Sequence, residues 1–113
     1  MSKHPKVLIG WMTHPDHHKL IKLIREAVSQ RLIACGNVFS TPVTSLYTWD
    51  HKMEETSEYI AMFKIAESQK DPCIQFLKSQ HPHECPEIIF SEVSGGFPDY
   101  LNWITETSRE TKI

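Results

Sequence analysis

At 113 residues, with 40% hydrophobic and 23% charged side chains, the chain has the size and balance of one globular domain. Its formal net charge of -2, with Lys and Arg scattered along the sequence, argues against nucleic acid or an anionic membrane surface as the main partner, and no apolar run is long enough to span a bilayer. Cys35, Cys73 and Cys85 make an odd set with no C-x-x-C pair, which points to thiols in a reducing compartment, by default the cytoplasm, rather than to a disulfide framework.

The opening Met1–Gly10 has too short an apolar stretch for a secretory signal and reads as a short tail entering a strand. Val7-Leu-Ile-Gly-Trp-Met-Thr13 is β-rich and short, the pattern of a buried strand. Thr13 followed by Asp16 resembles a capping box, and Pro15 suits a helix's first turn. In the helix that follows, Leu20, Ile21, Ile24, Ala27, Val28 and Leu32 recur at helical spacing, with Gly36 as its stop. His14 and His18 then fall at i, i+4 on one helical face, a chelating spacing, although the positive end of the helix dipole disfavours a cation there.

Asn37-Val-Phe leads into Val43-Thr-Ser-Leu-Tyr-Thr-Trp49, a long strand bent or bulged at Pro42. Asp50-His-Lys is a hairpin turn. The return strand runs to Ile65, with Tyr59, Ala61, Phe63 and Ile65 alternating against Ile60, Met62 and Lys64. Ser68 and Asp71 repeat the capping pattern, and the second helix buries Cys73, Phe76, Leu77 and Gln80. A strand, Ile88–Val93, follows, and Gly95-Gly-Phe-Pro turns the chain into a terminal helix whose apolar face is Tyr100, Trp103 and Ile104. The order βαβ–βαβ plus a helix predicts a ferredoxin-like α+β sandwich, a single domain over residues 1–113 with an antiparallel sheet and helices on one face. The middle hairpin is longer than such a sheet needs, and its Tyr47 and Trp49 predict an overhang covered by another subunit.

The densest chemistry lies in His81-Pro-His-Glu-Cys-Pro-Glu87, with two imidazoles, a thiol, two carboxylates and two prolines. Extended geometry, favoured by Pro82 and Pro86, places His81, His83, Cys85 and Glu87 on one side. Neighbours at i, i+2 start roughly 7 Å apart, so two can close on one ion but four in a row cannot. The competing reading is a proline-rigidified connector whose polar groups serve hydrogen bonds. Of the other cysteines, Cys35 reads as a small buried hydrophobe and Cys73 as core.

Several pieces in order resemble the CutA divalent-cation tolerance family. They are Thr13-x-Pro-Asp16, Arg31-Leu-Ile-Ala-Cys-Gly-Asn37, Ser45-Leu-Tyr-Thr-Trp49, Glu58, Lys64, His81-Pro-x-x-x-Pro-Glu-Ile88 and Tyr100-Leu-x-Trp103, spanning about Val7 to Trp103. The resemblance implies a homotrimer with hairpins paired across subunits, binding of copper or another divalent cation, and no enzymatic activity. It implies metal binding at Met12, His81 and Glu87. This chain departs from the pattern at Met12, where a thiol is sometimes found, at His83 in place of a Tyr, at the added Cys85, at His51 in place of a turn Gly, which implies φ > 0 at a non-Gly residue, and at Gly36 in place of a small apolar residue. His83 and Cys85 are thereby further metal candidates. A thioether favours Cu(I) over Cu(II) or Zn.

A PII-like trimeric module binding a small molecule between subunits is the alternative, but it needs a basic, Gly-rich loop, and the tip Asp50-His-Lys52 is short with one Lys. An acylphosphatase-type enzyme needs Gly and Arg after the first strand, and Met12-Thr-His-Pro-Asp16 has neither. The sequence also lacks the M-x-C-x-x-C of metallochaperones and the RNP pattern of RNA-recognition modules.

Overall fold

The computed structural model describes residues 6–109, so most of the proposed N-terminal tail lies outside the described residues. Its elements are β1 (Val7–His14), α1 (His17–Ser29), β2 (Cys35–Val38), β3 (Val43–Trp49), β4 (Lys52–Ala66), a 3-10 turn (Glu67–Gln69), α2 (Lys70–Gln80), β5 (Ile88–Glu92) and α3 (Pro98–Thr107). The sheet order is β2-β4-β1-β5, with β3 pairing further along β4 and all pairings antiparallel. Counting β2 and β3 as one interrupted strand, this is the β-α-β-β-α-β connectivity predicted.

The interruption falls where Pro42 predicted it. Val38 pairs with Ala61 and Val43 with Glu58, so residues 39–42 lie opposite only Tyr59 and Ile60. The surplus re-aims the outer half of the ribbon. At its tip Asp50 and His51 have φ of 53° and 65° between the paired Trp49 and Lys52. Two left-handed residues make a type I′ turn, so His51 does take the conformation implied by the turn Gly of the resembling family. The hairpin carries Leu46, Trp49 and Met53 largely exposed, at 64%, 51% and 74%. It stretches the subunit to 48 Å along its longest axis.

Alternation along β1 and β4 sets the core. Leu8 and Met12 face the same way as Ala61, Phe63 and Ile65, beneath Leu20, Leu23, Ile24 and Ala27 of α1 and Cys73 and Leu77 of α2. Gly10 pairs with Phe63, and a Cβ there would sit inside the Phe63 ring. Glycine thus lets the ring pack close against the strand, its centroid 5.8 Å from that of Phe90 with the two rings nearly perpendicular. Within α1, Val28 is exposed and Leu23 takes its place in the core. Gln80 of α2 is likewise exposed.

The helix boundaries correct several expectations. Asp16 caps α1, its carboxylate accepting from the Lys19 N–H at 2.9 Å, while Thr13 remains in β1. No side chain caps α2, so the Ser68/Asp71 pattern is not used. The first helix ends not at Gly36 but at Ser29, and Arg31 just beyond it, with φ of 62°, closes a Schellman motif. The Leu32 N–H reaches the Ala27 carbonyl and the Arg31 N–H that of Val28, both at 3.0 Å. Arg31 also donates from its guanidinium to the carbonyls of Thr107 and Glu106 at 3.1 and 3.0 Å, so the residue closing that motif also caps α3. Gly36 instead lies in β2, where a Cβ would collide with the Ile24 side chain.

The helices do not all lie on one face. Val7 alternates away from Leu8 and packs in a second cluster with Ala34, Leu101 and Ile104. The buried face of α3 is Leu101 and Ile104, while Tyr100 and Trp103 stack on each other at 5.6 Å on its exposed side. Buried Ser108 pins α3 to the sheet by donating to the Ile104 carbonyl at 2.6 Å and accepting from the Ala66 N–H at 2.9 Å.

Candidate functional site

Pro82 disfavours helical geometry at the residue before it, and His81 accordingly leaves α2 with φ -89° and ψ 139°. Its ring drops onto the end of β1, where it is 8% exposed. A carbonyl only accepts and an amide N–H only donates, which settles the tautomer. Nε2–H donates to the Thr13 carbonyl at 2.7 Å, and Nδ1 accepts from the His83 N–H at 3.0 Å. Both nitrogens are committed, so His81 has no free lone pair for a metal in this arrangement. Burial pushes its pKa below the ordinary 6.5, the bond to Thr13 working the other way.

His14 is not a helix residue. It ends β1, only 2% exposed, 4.9 Å from the His81 ring, which in turn lies 4.9 Å from that of His83. Its Nδ1 accepts from the Asp16 N–H at 2.9 Å, so the spacing to His18 creates no chelate. Burial, then the neighbouring His81, pushes its pKa down. His17 stacks on Tyr59 at 4.7 Å, tying the first turn of α1 to β4.

Beyond His81 the chain bends through residues 82–85 rather than running extended, so the predicted alternation of His81, His83, Cys85 and Glu87 does not hold. His83, Cys85 and Glu87 instead line a cleft of about 580 Å³ along the hairpin, with Glu58 from its base and Tyr47 and Trp49 from its outer half. Met12 is not there. It is wholly buried in the core, paired with Ala61 and Ile88 and packed on the face under the helices. Among the described residues no group of three His, Cys, Asp or Glu side chains is placed to hold a metal ion. The donor types suit a soft or borderline cation, but one subunit as arranged does not assemble them.

The remaining candidates separate cleanly. Cys73 is core, and burial pushes its thiol up to about 12. Cys35 is only half-buried, not the core residue predicted, with its sulfur 3.4 Å from the Tyr100 hydroxyl; that contact, then burial, pushes the phenol up to about 12. Lys64 donates to the Asn37 side chain at 2.8 Å. Glu58, on the hairpin, is 7% exposed despite its charge. Its depth follows from the cleft walls, which sequence alternation alone does not reveal.

The architecture defines a ferredoxin-like α+β domain carrying an exposed hairpin and an acidic, thiol-bearing cleft. The chain belongs to the CutA1 divalent ion tolerance protein family, whose model matches residues 8–107. It is 34% identical over 102 residues to the mouse Protein CutA, covering 90% of this chain but only 57% of the mouse protein's length. To the divalent-cation tolerance protein CutA of Thermotoga maritima it is 30% identical, covering 89% of this chain and 98% of that protein. The crystal structure of CutA1 from Oryza sativa superposes with a TM-score of 0.89 at 27% identity, covering 97% of this chain and all of that one. No helix among the described residues is long and apolar enough to cross a membrane.

Proposed function

We propose that the chain serves divalent-cation tolerance as a non-catalytic cytoplasmic homotrimer that binds copper or another divalent cation. The observation supporting this reading is that the cleft and the hairpin are one surface. Leu46, Tyr47 and Trp49 wall the cleft that holds His83, Cys85 and Glu87. A second copy covering the exposed hairpin also closes over these donors. The site is then completed at the subunit boundary. A thiolate with an imidazole favours copper or zinc over magnesium or calcium. The free thiols of Cys35, Cys73 and Cys85 accord with a reducing compartment. The PII-like alternative gains nothing from the relatives, whose names point to cation tolerance.

Equilibrium titration of the purified protein with Cu²⁺ and Zn²⁺ tests the reading. Binding should weaken at least about tenfold in Cys85→Ser and Glu87→Gln, as loss of an ion's ligand implies. Equal affinity in both variants and the parent protein contradicts it.

A further inference from the structure

On the opposite side of the His81 connection, α1 and α2 leave a groove of about 700 Å³, a size suited to a small organic molecule. Its floor holds His14. Because Nδ1 of this ring accepts the Asp16 N–H, the ring proton of the neutral imidazole must sit on Nε2. The one side-chain hydrogen bond His14 makes among the described residues is that at Nδ1, although the residue is only 2% exposed and lines the groove. Thr56 Oγ1, and not His14 Nε2, is the fully buried unpaired side-chain atom among the described residues, so this N–H keeps contact with the groove and takes its acceptor there, from solvent or from a bound molecule.

The rim tells what kind. Lys19 and Lys22 stand on it, and among the described residues no carboxylate lies within salt-bridge distance of either. Of the two acidic residues on the same rim, Asp16 is committed to capping the Lys19 N–H, while Glu26 stands a turn beyond Lys22. Leu23 and Phe76 give the wall an apolar strip.

We propose that this groove binds a small organic oxyanion, a carboxylate or phosphate monoester. The Nε2–H of His14 and the ammonium groups of Lys19 and Lys22 hold its head, and Leu23 and Phe76 hold its body. The donor set is one that neutral ligands satisfy only in part, because a charged acceptor strengthens each of these bonds. The groove shares none of the cleft donors His83, Cys85 or Glu87.

The test is calorimetry on the full chain with phenyl phosphate, phenylacetate and the uncharged benzyl alcohol, joined to the ¹⁵N resonance of the His14 side chain. Saturable binding of at least one anion is expected, with the His14 Nε2 resonance moving in step. Affinity should fall at least about tenfold in the Lys19→Gln/Lys22→Gln double variant, whose changes are on the exposed rim. Which of the two anions binds tells a phosphate head from a carboxylate head. The proposal is overturned by no saturation up to about 10 mM of either anion, by equal binding of the alcohol, by unchanged affinity in the double variant, or by a His14 resonance that stays put during saturation.

Discussion

The Nε2–H of His81 meets the carbonyl of Thr13 at 2.7 Å, joining the α2–β5 connection to the end of β1 across 68 residues of sequence. With Nδ1 holding the His83 N–H, one ring organises the turn that presents the cleft donors. His81 is therefore a positioning residue in this arrangement. His81→Ala leaves a buried carbonyl and an amide without partners and should cost about 1–3 kcal/mol. Guanidinium unfolding at fixed protein concentration measures this; a change below about 0.5 kcal/mol assigns the bonds no structural weight.

Acid should loosen the same region. His14 and His81 both have folded pKa values below the unfolded 6.5, chiefly through burial. The folded state then binds fewer protons than the unfolded chain between the two values. Their contribution is intact above about pH 6.5, declines as the pH falls below it and levels off once the folded pKa is passed. Around His14, Asp16 opposes this shift while His81, His83 and Lys19 reinforce it. Melting curves should show Tm falling from pH 7 toward pH 5, with a shallower slope in His14→Gln. A flat profile over that range contradicts the assignment.

Arg31 combines an unfavourable backbone conformation with two bonds to the end of α3. Arg31→Ala keeps the left-handed backbone and loses the bonds. Arg31→Gly loses the bonds and relieves about 1 kcal/mol of backbone cost. Stability should follow the order parent, Gly, Ala, with the Ala variant lower than the parent by about 2 kcal/mol. Chemical denaturation of the three proteins checks the order, and an Arg31→Gly protein more stable than the parent contradicts it.

Close approach should make two glycines irreplaceable. Gly10→Ala drives a methyl into the Phe63 ring and Gly36→Ala one into Ile24. Each should lose about 1–3 kcal/mol, the usual cost of overpacking. Phe63→Leu should recover part of the Gly10→Ala loss, which a double-mutant cycle reads directly. Additive losses with no recovery would place the clash elsewhere.

The hairpin, its turn and the alternation of β4 were legible because each follows from neighbours in sequence. The left-handed turn at His51 was expected because the resembling family places Gly there. The site was less legible because its partners are remote. Thr13 followed by Asp16 reads as a helix start three residues too early, which put His14 on a helix face it does not occupy. Met12 was a metal candidate only through the family resemblance, and its side depends on register with Ala61 and Ile88, on strands far along the chain. Tyr100 and Trp103 have the spacing of a buried stripe, but Leu101 with Ile104 has it too, and only Val7 and Ala34 decide between them.

Native mass spectrometry before and after addition of copper bears most directly on the central claim, since one spectrum reads both assembly and bound metal. The account predicts a species of about three times the 13.1 kDa chain mass that takes up copper in proportion to its subunits, and loses that uptake in Cys85→Ser/Glu87→Gln. A folded monomer at 13.1 kDa, or a trimer whose copper uptake is untouched by that double change, would contradict it.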